Sequence, residues 1–318
     1  MLQFDPICNP EERVMTIRIG QLSDTHFLEP GDAPEGGFGY DIDAAFDAVL
    51  RDVEIKHSTR GEGDALDLIV VTGDVADHGR PGQYRVAAEA FERLPVPVVV
   101  TPGNHDQDAA YREADSFEDQ PRIVDIENWC FVLVDTNAGM MLDTADGGRV
   151  DPEYHQRLWG NGLLGTAEAD WVRDVCASTE AEHVFIWQHH PVGTGNGVVG
   201  PTPAFEAEWR ELLDSTTKIR GIGAGHTHMP NVVDFHGCPV HVCPSLKANF
   251  DAEITTMLPP GWLSYAFEAD GTFSSEVHLV DGDTWPRRKL GRLVTSLLRG
   301  EISHDEFDAI VARKQAEG

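Results

Sequence analysis

The chain has 318 residues, and its 54 acidic against 24 basic side chains give a formal net charge of −30 at pH 7. A field of this sign repels phosphate backbones and anionic lipid headgroups, so it excludes a general binder of nucleic-acid duplexes and a membrane-surface protein. The composition also excludes a disordered chain, because 41% of the residues are hydrophobic and 7 Trp and 14 Phe supply the bulk of a packed core.

Cysteine usage and the N-terminal sequence both predict a cytoplasmic protein. The five cysteines are odd in number and form no CxxC pair, which is typical of reduced thiols rather than of a disulfide framework. The opening stretch MLQFDPICNPEERVM lacks the basic and apolar regions of a secretory leader. No later run approaches the ~20 apolar residues that a membrane-spanning helix needs.

Short runs rich in Val and Ile recur along the chain and predict strands that are buried on both faces. These runs are Ile17–Leu22, Leu66–Thr72, Val96–Thr101, Trp129–Val134, Val184–Trp187 and Ile219–Ala224. Apolar residues at helical spacing lie between them, from Ile42 to Val53 and from Tyr84 to Leu94. Strands that alternate with helices predict a layered α/β domain.

Beyond Gly225 the pattern changes to hairpin-like β structure, with turn signals at His236-Gly237 and Asp270-Gly271. These hairpins predict a second sheet. Earlier in the chain, Ala138–Gly165 is rich in Gly, Asp and Asn and lacks periodicity, so we interpret it as a long surface loop.

The C-terminal residues predict a helical tail. The sequence from Leu290 to Ala316 is typical of two short helices, with Ser303 as the N-cap of the second helix and Glu306 as its capping-box partner. We therefore divide the chain into a main domain, residues 1–285, and a tail, residues 286–318.

Side chains of the types that bind metal ions follow five of the six predicted strands. They stand in Asp24-Thr25-His26, Gly73-Asp74, Gly103-Asn104-His105-Asp106, His189-His190 and Gly225-His226-Thr227-His228. A single loop histidine is more often solvated than metal-bound. Exposure to solvent does not explain well why five such groups follow strands in order. Ligands of open α/β sheets bind at the carboxyl ends of the strands, so these positions indicate a binding site. Two divalent ions about 3.5–4 Å apart require such oxygen and imidazole donors.

Backbone geometry offers a reason for the spacing of these motifs. In an extended segment residues i and i+2 point the same way, so the two ligands of Asp24-Thr25-His26 can face one site. The same holds for His226-Thr227-His228 if that turn is locally extended. Gly73, Gly103 and Gly225 each precede a ligand, and glycine allows the close backbone approach that crowded ions require.

This ordered set of motifs resembles the calcineurin-like metallophosphoesterases, whose pattern is DxH, GD, GNH followed by an acidic residue, a strand-end His and GHxH. The likeness extends from Ile17 to about His228, with the β-rich segment behind it. The sequence looks most like the bacterial branch of class III cyclic-nucleotide phosphodiesterases and glycerophosphodiesterases. The features that carry this finer likeness are Ser23-Asp24-Thr25-His26-Phe27, Gly73-Asp74 followed by Gly79-Arg80-Pro81 and Tyr84, and His189-His190-Pro191.

The resemblance implies a four-layer α/β/β/α fold and a binuclear metal site. The ligands would be Asp24, His26 and His228 for the first metal, Asn104, His189 and His226 for the second, and Asp74 as the bridge. His189 rather than His190 matches the family's ligand, because it closes the strand and precedes one residue and then Pro191. Fe and Mn are favoured, with Zn and Co as alternatives, because these donor types suit all four metals.

The resemblance also implies roles for the neighbours of the ligands. His105 would donate a proton or a hydrogen bond to the leaving oxygen, and Asp106 would orient its ring. Asn104 would contact the substrate as well as the second metal. For His190 two interpretations stay open, contact with or support of the phosphoryl site and simple packing over it.

The implied reaction is hydrolysis of a small phosphodiester by a hydroxide held between the two ions. The favoured substrate is a 3′,5′-cyclic nucleotide or a small glycerophosphodiester. A phosphomonoesterase, a hydrolase of nucleotide-linked pyrophosphates and a non-catalytic scaffold are the alternatives, and the complete ligand set argues against the scaffold. The tail, residues 286–318, is similar to the short helical pairs called SHOCT modules. The alternative is a helical hairpin that packs on its own domain or on a second subunit. We expect the protein to form a homo-oligomer.

Overall fold

The structure of the protein is a computed structural model. It describes residues 16–34, 39–57, 65–106, 111, 117, 120–138, 141–142, 149–150, 160–195, 200–303, 306–307, 309–310 and 313.

Within these ranges strands and helices alternate up to residue 101 and again from residue 165 to residue 224, with a run of strands in between. The strands are β1 (Ile17–Leu22), β2 (Leu68–Thr72), β3 (Val98–Thr101), β4 (Ile123–Ile126), β5 (Trp129–Leu133), β6 (Met141–Leu142), β7 (Arg149–Val150), β8 (His183–Trp187), β9 (Ile219–Ala224), β10 (Asn231–Phe235), β11 (Cys238–Val242), β12 (Asn249–Phe250), β13 (Thr256–Leu258), β14 (Gly261–Phe267), β15 (Phe273–Leu279) and β16 (Arg288–Lys289). The helices are α1 (Ile42–Lys56), α2 (Pro81–Phe91), α3 (Gly165–Ser178), α4 (Pro203–Ser215) and α5 (Arg292–Leu298).

Two larger sheets carry the fold. One has the order β15-β14-β1-β2-β3 and the other the order β10-β11-β9-β8-β5-β4. Strands β1, β2 and β3 are mutually parallel in the first sheet, and β5, β8 and β9 are parallel in the second. The carboxyl ends of these six strands therefore point the same way within each sheet, which places the loops after them along one edge.

Three apolar clusters fill the space around the sheets. One joins side chains of both sheets, including Ile19 and Phe185. A second packs α1 and α2 against the five-stranded sheet around Phe46, and a third packs α3 and α4 against the six-stranded sheet around Trp209. Helices therefore pack against each of the two larger sheets, and the four-layer α/β/β/α order stays a prediction.

Strand β8 shows why the sequences of the predicted strands are continuously apolar. Phe185 and Trp187 face the cluster between the sheets, whereas Val184 and Ile186 face the helices. Successive side chains of a strand point to opposite faces, and both faces are covered here. All six predicted strands are present, with ends that differ by at most two residues. The edge strand β4 was not predicted.

The predicted hairpin turns are confirmed. His236-Gly237 joins β10 to β11, and Asp270-Gly271 lies between β14 and β15. Both His236 and Gly237 have positive φ, 55° and 80°, as a tight hairpin turn requires. The prediction of one continuous loop over Ala138–Gly165 is wrong in part, because β6 pairs with β7 within it.

The described residues near the C-terminus contact the rest of the fold. Strand β16 pairs with β13, and Leu290 and Leu298 pack against a cluster around Met229. The predicted capping box is confirmed, because Ser303 Oγ accepts from the Glu306 N–H at 3.2 Å and Glu306 Oε2 accepts from the Ser303 N–H at 2.9 Å. The domain division at residue 285 and the two-helix tail stay predictions.

Candidate metal centre

The predicted ligands lie together at the carboxyl ends of β1, β2, β3, β8 and β9. Four groups of carboxylate and imidazole atoms each lie within 4.8 Å of one another: Asp24 with His26 and His228, Asp24 with Asp74 and His189, His26 with Asp74 and His105, and His189 with His190 and His226. Asp24 and His189 are fully buried, so the groups are held by the fold rather than by solvent.

The backbone at the ligands differs from the extended form that the spacing argument assumed. Asp24 and His26 have φ values of 51° and 46°, and His226 and His228 have 70° and 53°. Asp74 shares this conformation, with φ 49°. Non-glycine residues adopt positive φ at a cost in free energy, and such residues concentrate at functional sites. The expectation that simple β alternation turns these pairs inward is therefore wrong, although the paired ligands do converge.

The glycines before the ligands are required by close approach, as the sequence predicts. A Cβ on Gly103 would lie 2.3 Å from both the backbone N and Oδ1 of Asp74, and one on Gly225 would lie 1.8 Å from Ser23 Oγ. Gly73 has φ 82°, and its Cβ would lie 2.6 Å from His189 Nδ1. Any side chain at these positions would push the ligand loops apart.

The first predicted metal position lies between β1 and β9. His228 Nε2 is 3.2 Å from Asp24 Oδ1, and the backbone N–H of His226 donates to the same carboxylate at 3.0 and 3.1 Å. His26 Nδ1 lies 2.9 Å from Asp77 Oδ1, which leaves Nε2 directed toward Asp74. Asp24, His26 and His228 can thus present three donors to one ion.

Asp74 occupies the place that a bridging ligand needs. Its Oδ2 lies 3.5 Å from His26 Nε2, and its Oδ1 lies 3.3 Å from His189 Nε2. One carboxylate oxygen therefore faces each predicted metal position. The backbone N–H of His105 donates to Oδ1 at 2.9 Å and fixes the rotation of the carboxylate.

The second predicted position is bounded by His189, Asn104 and His226. His189 Nε2 lies 3.0 Å from Asn104 Oδ1 and 3.2 Å from His226 Nδ1. His189 Nδ1 contacts the Thr72 carbonyl at 2.8 Å, and His226 Nε2 contacts the Gly160 carbonyl at 2.8 Å. A carbonyl only accepts, so the proton of each neutral ring lies on the nitrogen beside the carbonyl.

These tautomers test whether the site suits a metal ion. When both rings are neutral, the lone pairs of His189 Nε2 and His226 Nδ1 face each other across 3.2 Å. Two facing lone pairs repel unless a proton on one of these nitrogens or a metal ion beside them relieves the repulsion. Hydrogen-bonded imidazoles, two carboxylates and an amide oxygen form a donor set that divalent transition metals accept. The residues present therefore fit two divalent ions, and the individual ligand roles stay predictions.

Burial and neighbouring charge hold most of the donors in forms that bind metal. Burial opposes ionisation of Asp24, but His228 and His189 keep the pKa of its carboxyl well below the usual range. Burial lowers the pKa of His26 to about 4, and burial together with His189 lowers that of His226 to about 3. Burial also disfavours charge on His189, but Asp74 and Asp24 raise its pKa to about 9, so metal binding must displace a proton there.

Asp106 does not orient His105, and that prediction is corrected. The Asp106 carboxylate accepts three backbone hydrogen bonds, from Val75 and Ala76 at 3.1 Å and from Gly103 at 2.8 Å. It therefore joins the loops after β2 and β3. His105 Nδ1 instead contacts the backbone carbonyl of Asp77 at 2.8 Å, and Nε2 lies 4.0 Å from Asp74 Oδ2. Burial, with a contribution from Asp74, raises the pKa of Asp106 to about 6.

His190 lies on the second-metal side and is held by Thr136. The Thr136 hydroxyl is 2.8 Å from His190 Nδ1, and the His190 ring centroid is 4.5 Å from that of His226. His190 is buried, with 1% of its surface exposed. Its place beside His189 and His226 is compatible with either interpretation of its role.

Sequence reasoning gave too little weight to two residues behind the site. Asp77 Oδ1 lies 2.9 Å from His26 Nδ1 and 2.6 Å from Lys247 Nζ. Asp77 and Lys247 are both buried. The three-residue offset of Asp77 from Asp74 was the available signal, whereas Lys247 joins from 170 residues away and no local pattern indicates it.

The family follows from these observations together with sequence comparison. Residues 17–230 match the family of calcineurin-like phosphoesterases, which is more than half of the chain. The chain therefore belongs to that family, and its fold is that of a metallophosphoesterase. This confirms the resemblance that the motifs indicated.

Several bacterial relatives share most of their length with this chain. The 3′,5′-cyclic adenosine monophosphate phosphodiesterase CpdA of Escherichia coli is 26% identical over 82% of this chain and 89% of the relative. A cAMP/cGMP dual specificity phosphodiesterase of Mycobacterium tuberculosis is 27% identical over 70% of this chain and 64% of the relative. The glycerophosphodiester phosphodiesterase GpdQ of Enterobacter lignolyticus is 23% identical over 71% and 76%.

Solved structures support the fold alone. A dimetal phosphatase from Danio rerio superposes with a TM-score of 0.51 at 15% identity, over 83% of this chain and 99% of that one. The inner membrane complex anchor GAP50 of Plasmodium gives 0.54 at 13% identity, over 87% and 89%. Among the described residues of the present chain, no helix is both long and apolar enough to span a bilayer.

Proposed function

We propose that the protein hydrolyses a small phosphodiester with two divalent metal ions, and that a 3′,5′-cyclic nucleotide is the substrate. The observation that carries the proposal is the position of Asp74 between the two ligand groups. Its Oδ1 lies 3.3 Å from His189 Nε2, and its Oδ2 lies 3.5 Å from His26 Nε2. The names of the relatives favour a cyclic nucleotide. When bound, the two ions supply Lewis acidity, lower the pKa of water and neutralise charge on the phosphoryl group.

The protein's own residues supply binding, orientation and a proton. Asp24 and Asp74 contribute −2 against the +4 of two dications, so the pocket is positive inside a chain of charge −30. His105 holds its Nδ1 proton on the Asp77 carbonyl, which turns Nε2 toward the site. When the ring also carries a proton on Nε2, that proton is placed to transfer to the leaving oxygen, which leaves the ring neutral with its Nδ1 proton on the Asp77 carbonyl. Asn104 and His190 are the proposed contacts of the phosphoryl oxygens.

A small glycerophosphodiester is the second candidate substrate, because the relative GpdQ is named for that activity. A panel of cyclic nucleotides, glycerophosphodiesters, phosphomonoesters and nucleotide-linked pyrophosphates, ranked by kcat/KM on the metal-loaded protein, separates the candidates. We expect 3′,5′-cyclic nucleotides to rank first. A phosphomonoester or a nucleotide-linked pyrophosphate in first place would contradict the proposal. Homo-oligomerisation and a cytoplasmic location stay predictions.

A further inference from the structure

Residues 160–165, which we call the return segment, lead into α3 and contact the second metal position. The Gly160 carbonyl oxygen lies 2.8 Å from His226 Nε2. Because this carbonyl takes the ring proton, Nδ1 is the nitrogen left to face His189. The return segment thus determines which nitrogen His226 can offer to a metal.

The return segment also packs directly on His190. Gly162 has φ 68°, and a Cβ at this position would lie 2.8 Å from His190 Cβ and Cγ. The Leu163 N–H donates to the Thr136 carbonyl at 2.7 Å, and the Thr136 hydroxyl contacts His190 Nδ1 at 2.8 Å. His226 and His190 therefore both rest against the same short stretch of backbone.

Glu208 on α4 holds the return segment in place. Its Oε2 accepts from the Leu164 N–H and its Oε1 from the Gly165 N–H, each at 3.0 Å. The two amides stand at the N-terminus of α3, where the helix dipole favours a carboxylate. Helix capping alone accounts for these two hydrogen bonds. Because Leu164 and Gly165 follow Gly160 closely in the sequence, fixing them also limits the movement of the Gly160 carbonyl.

We propose that the return segment positions His226 for metal binding and that Glu208 is the positioning residue that holds the segment there. The inference rests on the proposed function only in assigning His226 to the second metal. A carbonyl or carboxylate partner that orients a metal-binding histidine is commonly worth about 10–100-fold in metal affinity. Loss of the support that fixes Gly160 should therefore weaken the second metal rather than the first.

The test compares Glu208→Ala and Glu208→Gln with the wild type. The tautomer of His226 is read in the metal-free protein at neutral pH by long-range ¹H–¹⁵N correlation of ¹⁵N-histidine, and the affinities for the first and second Mn²⁺ are measured by calorimetry. We expect the Nε2–H tautomer in the wild type and a gain of Nδ1–H in Glu208→Ala. The second Mn²⁺ should bind about tenfold more weakly, with the first unchanged.

Glu208→Gln keeps one acceptor oxygen and should give an intermediate effect in both measurements. Glu206→Ala is the matched control, because Glu206 lies on the same helix and pairs only with Arg210 at 3.0 Å among the described residues. It should change neither quantity. An unchanged His226 tautomer together with unchanged second-metal affinity in Glu208→Ala overturns the inference. If Glu208→Ala does not fold, the same outcome in Glu208→Gln overturns it.

The proposed function fails by a different result. A wild-type protein that binds two Mn²⁺ but hydrolyses no phosphodiester contradicts the function and leaves the positioning of His226 intact. Conversely, full hydrolysis in the wild type with no effect of Glu208 on the tautomer or on the second Mn²⁺ contradicts only the positioning.

Discussion

Asp77 connects His26 with His105. Its carboxylate contacts His26, its backbone carbonyl contacts His105, and Lys247 lies against the carboxylate. A carboxylate that accepts from a metal-binding histidine fixes the tautomer of the ring and raises its basicity. At the scale of single residues, Asp77 therefore takes the place that sequence reasoning had given to Asp106.

The first prediction concerns this contact. Asp77→Asn removes the negative charge beside His26, so we expect the affinity for one of two Mn²⁺ ions to fall by about 10–100-fold, measured by calorimetry. Asp52→Asn is the matched control, because Asp52 Oδ2 likewise takes a ring N–H, from Trp262 at 2.9 Å, and a lysine, Lys56 at 2.9 Å. Equal losses in both variants would show that the Asp77 effect is not specific to the site.

The second prediction concerns His105. His105→Gln removes the proposed proton donor, so hydrolysis of a cyclic nucleotide, whose leaving alkoxide needs a proton, should fall by about 10²–10⁴-fold in kcat. Hydrolysis of bis(p-nitrophenyl) phosphate should fall far less, because p-nitrophenolate leaves without a proton. Equal losses on the two substrates would assign His105 to binding or to support of Asp74 instead of proton donation.

At the scale of elements, the site is assembled by loops that cross within contact distance at the carboxyl ends of the strands. Gly225 follows β9 directly and lies against Ser23 and Asp24 of the loop after β1. The two sheets approach here so closely that backbone and side chain occupy the space a Cβ would need. Separate loops from both sheets can reach one pair of ions for this reason.

The third prediction follows from that crossing. Gly225→Ala places a methyl group 1.8 Å from Ser23 Oγ and 2.6 Å from Asp24 Oδ2, so it should separate the loops and weaken binding of the first metal by at least tenfold. Gly291→Ala is the control, because a Cβ at Gly291 meets nothing within 4 Å. The measurement is Mn²⁺ affinity with thermal unfolding alongside. Wild-type affinity in Gly225→Ala would contradict this account of the loops.

The sequence predicts the elements and motifs better than the contacts between them. Runs such as Val184–Trp187 are identifiable because both faces of the strand are apolar, and strand-end motifs are identifiable because ligand types repeat there. Which partner orients each histidine is not local information. Lys247 meets Asp77 across 170 residues, and Gly160 meets His226 across 66, so only the folded chain shows them.

At the scale of the whole molecule, buried histidines join the two sheets and make stability depend on pH. His241 on β11 lies 2.8 Å from Ser275 Oγ on β15, and its ring is 5.3 Å from that of Phe273. Burial lowers the pKa of His241 to about 4, from 6.5 in its unperturbed form. The folded protein therefore binds fewer protons than the unfolded chain between these two pH values.

The fourth prediction is a pH-dependent loss of stability. The pKa of His241 is lower in the folded protein than in the unfolded chain. His241 therefore does not reduce the free energy of unfolding above pH 7, and reduces it progressively as the pH falls from about 6.5 to about 4. The total reduction in the free energy of unfolding is about 3 kcal/mol, because each tenfold change in proton affinity corresponds to about 1.4 kcal/mol. In urea unfolding of the metal-free protein, His241→Gln should lose less stability than the wild type over this range. Parallel curves would show that His241 does not titrate as described.

Among the described acidic residues only Asp24, Asp74, Asp77, Asp106 and Glu168 are buried, and the site needs two bound cations to act on an anionic substrate. The most direct measurement is hydrolysis of bis(p-nitrophenyl) phosphate while Mn²⁺ is added back to the metal-free protein, with Asp74→Ala in parallel. We expect activity to appear as the second equivalent binds, and Asp74→Ala to stay inactive at every metal concentration. No hydrolysis at two bound equivalents of Mn²⁺ or Fe²⁺, or wild-type turnover in Asp74→Ala, would contradict the binuclear centre.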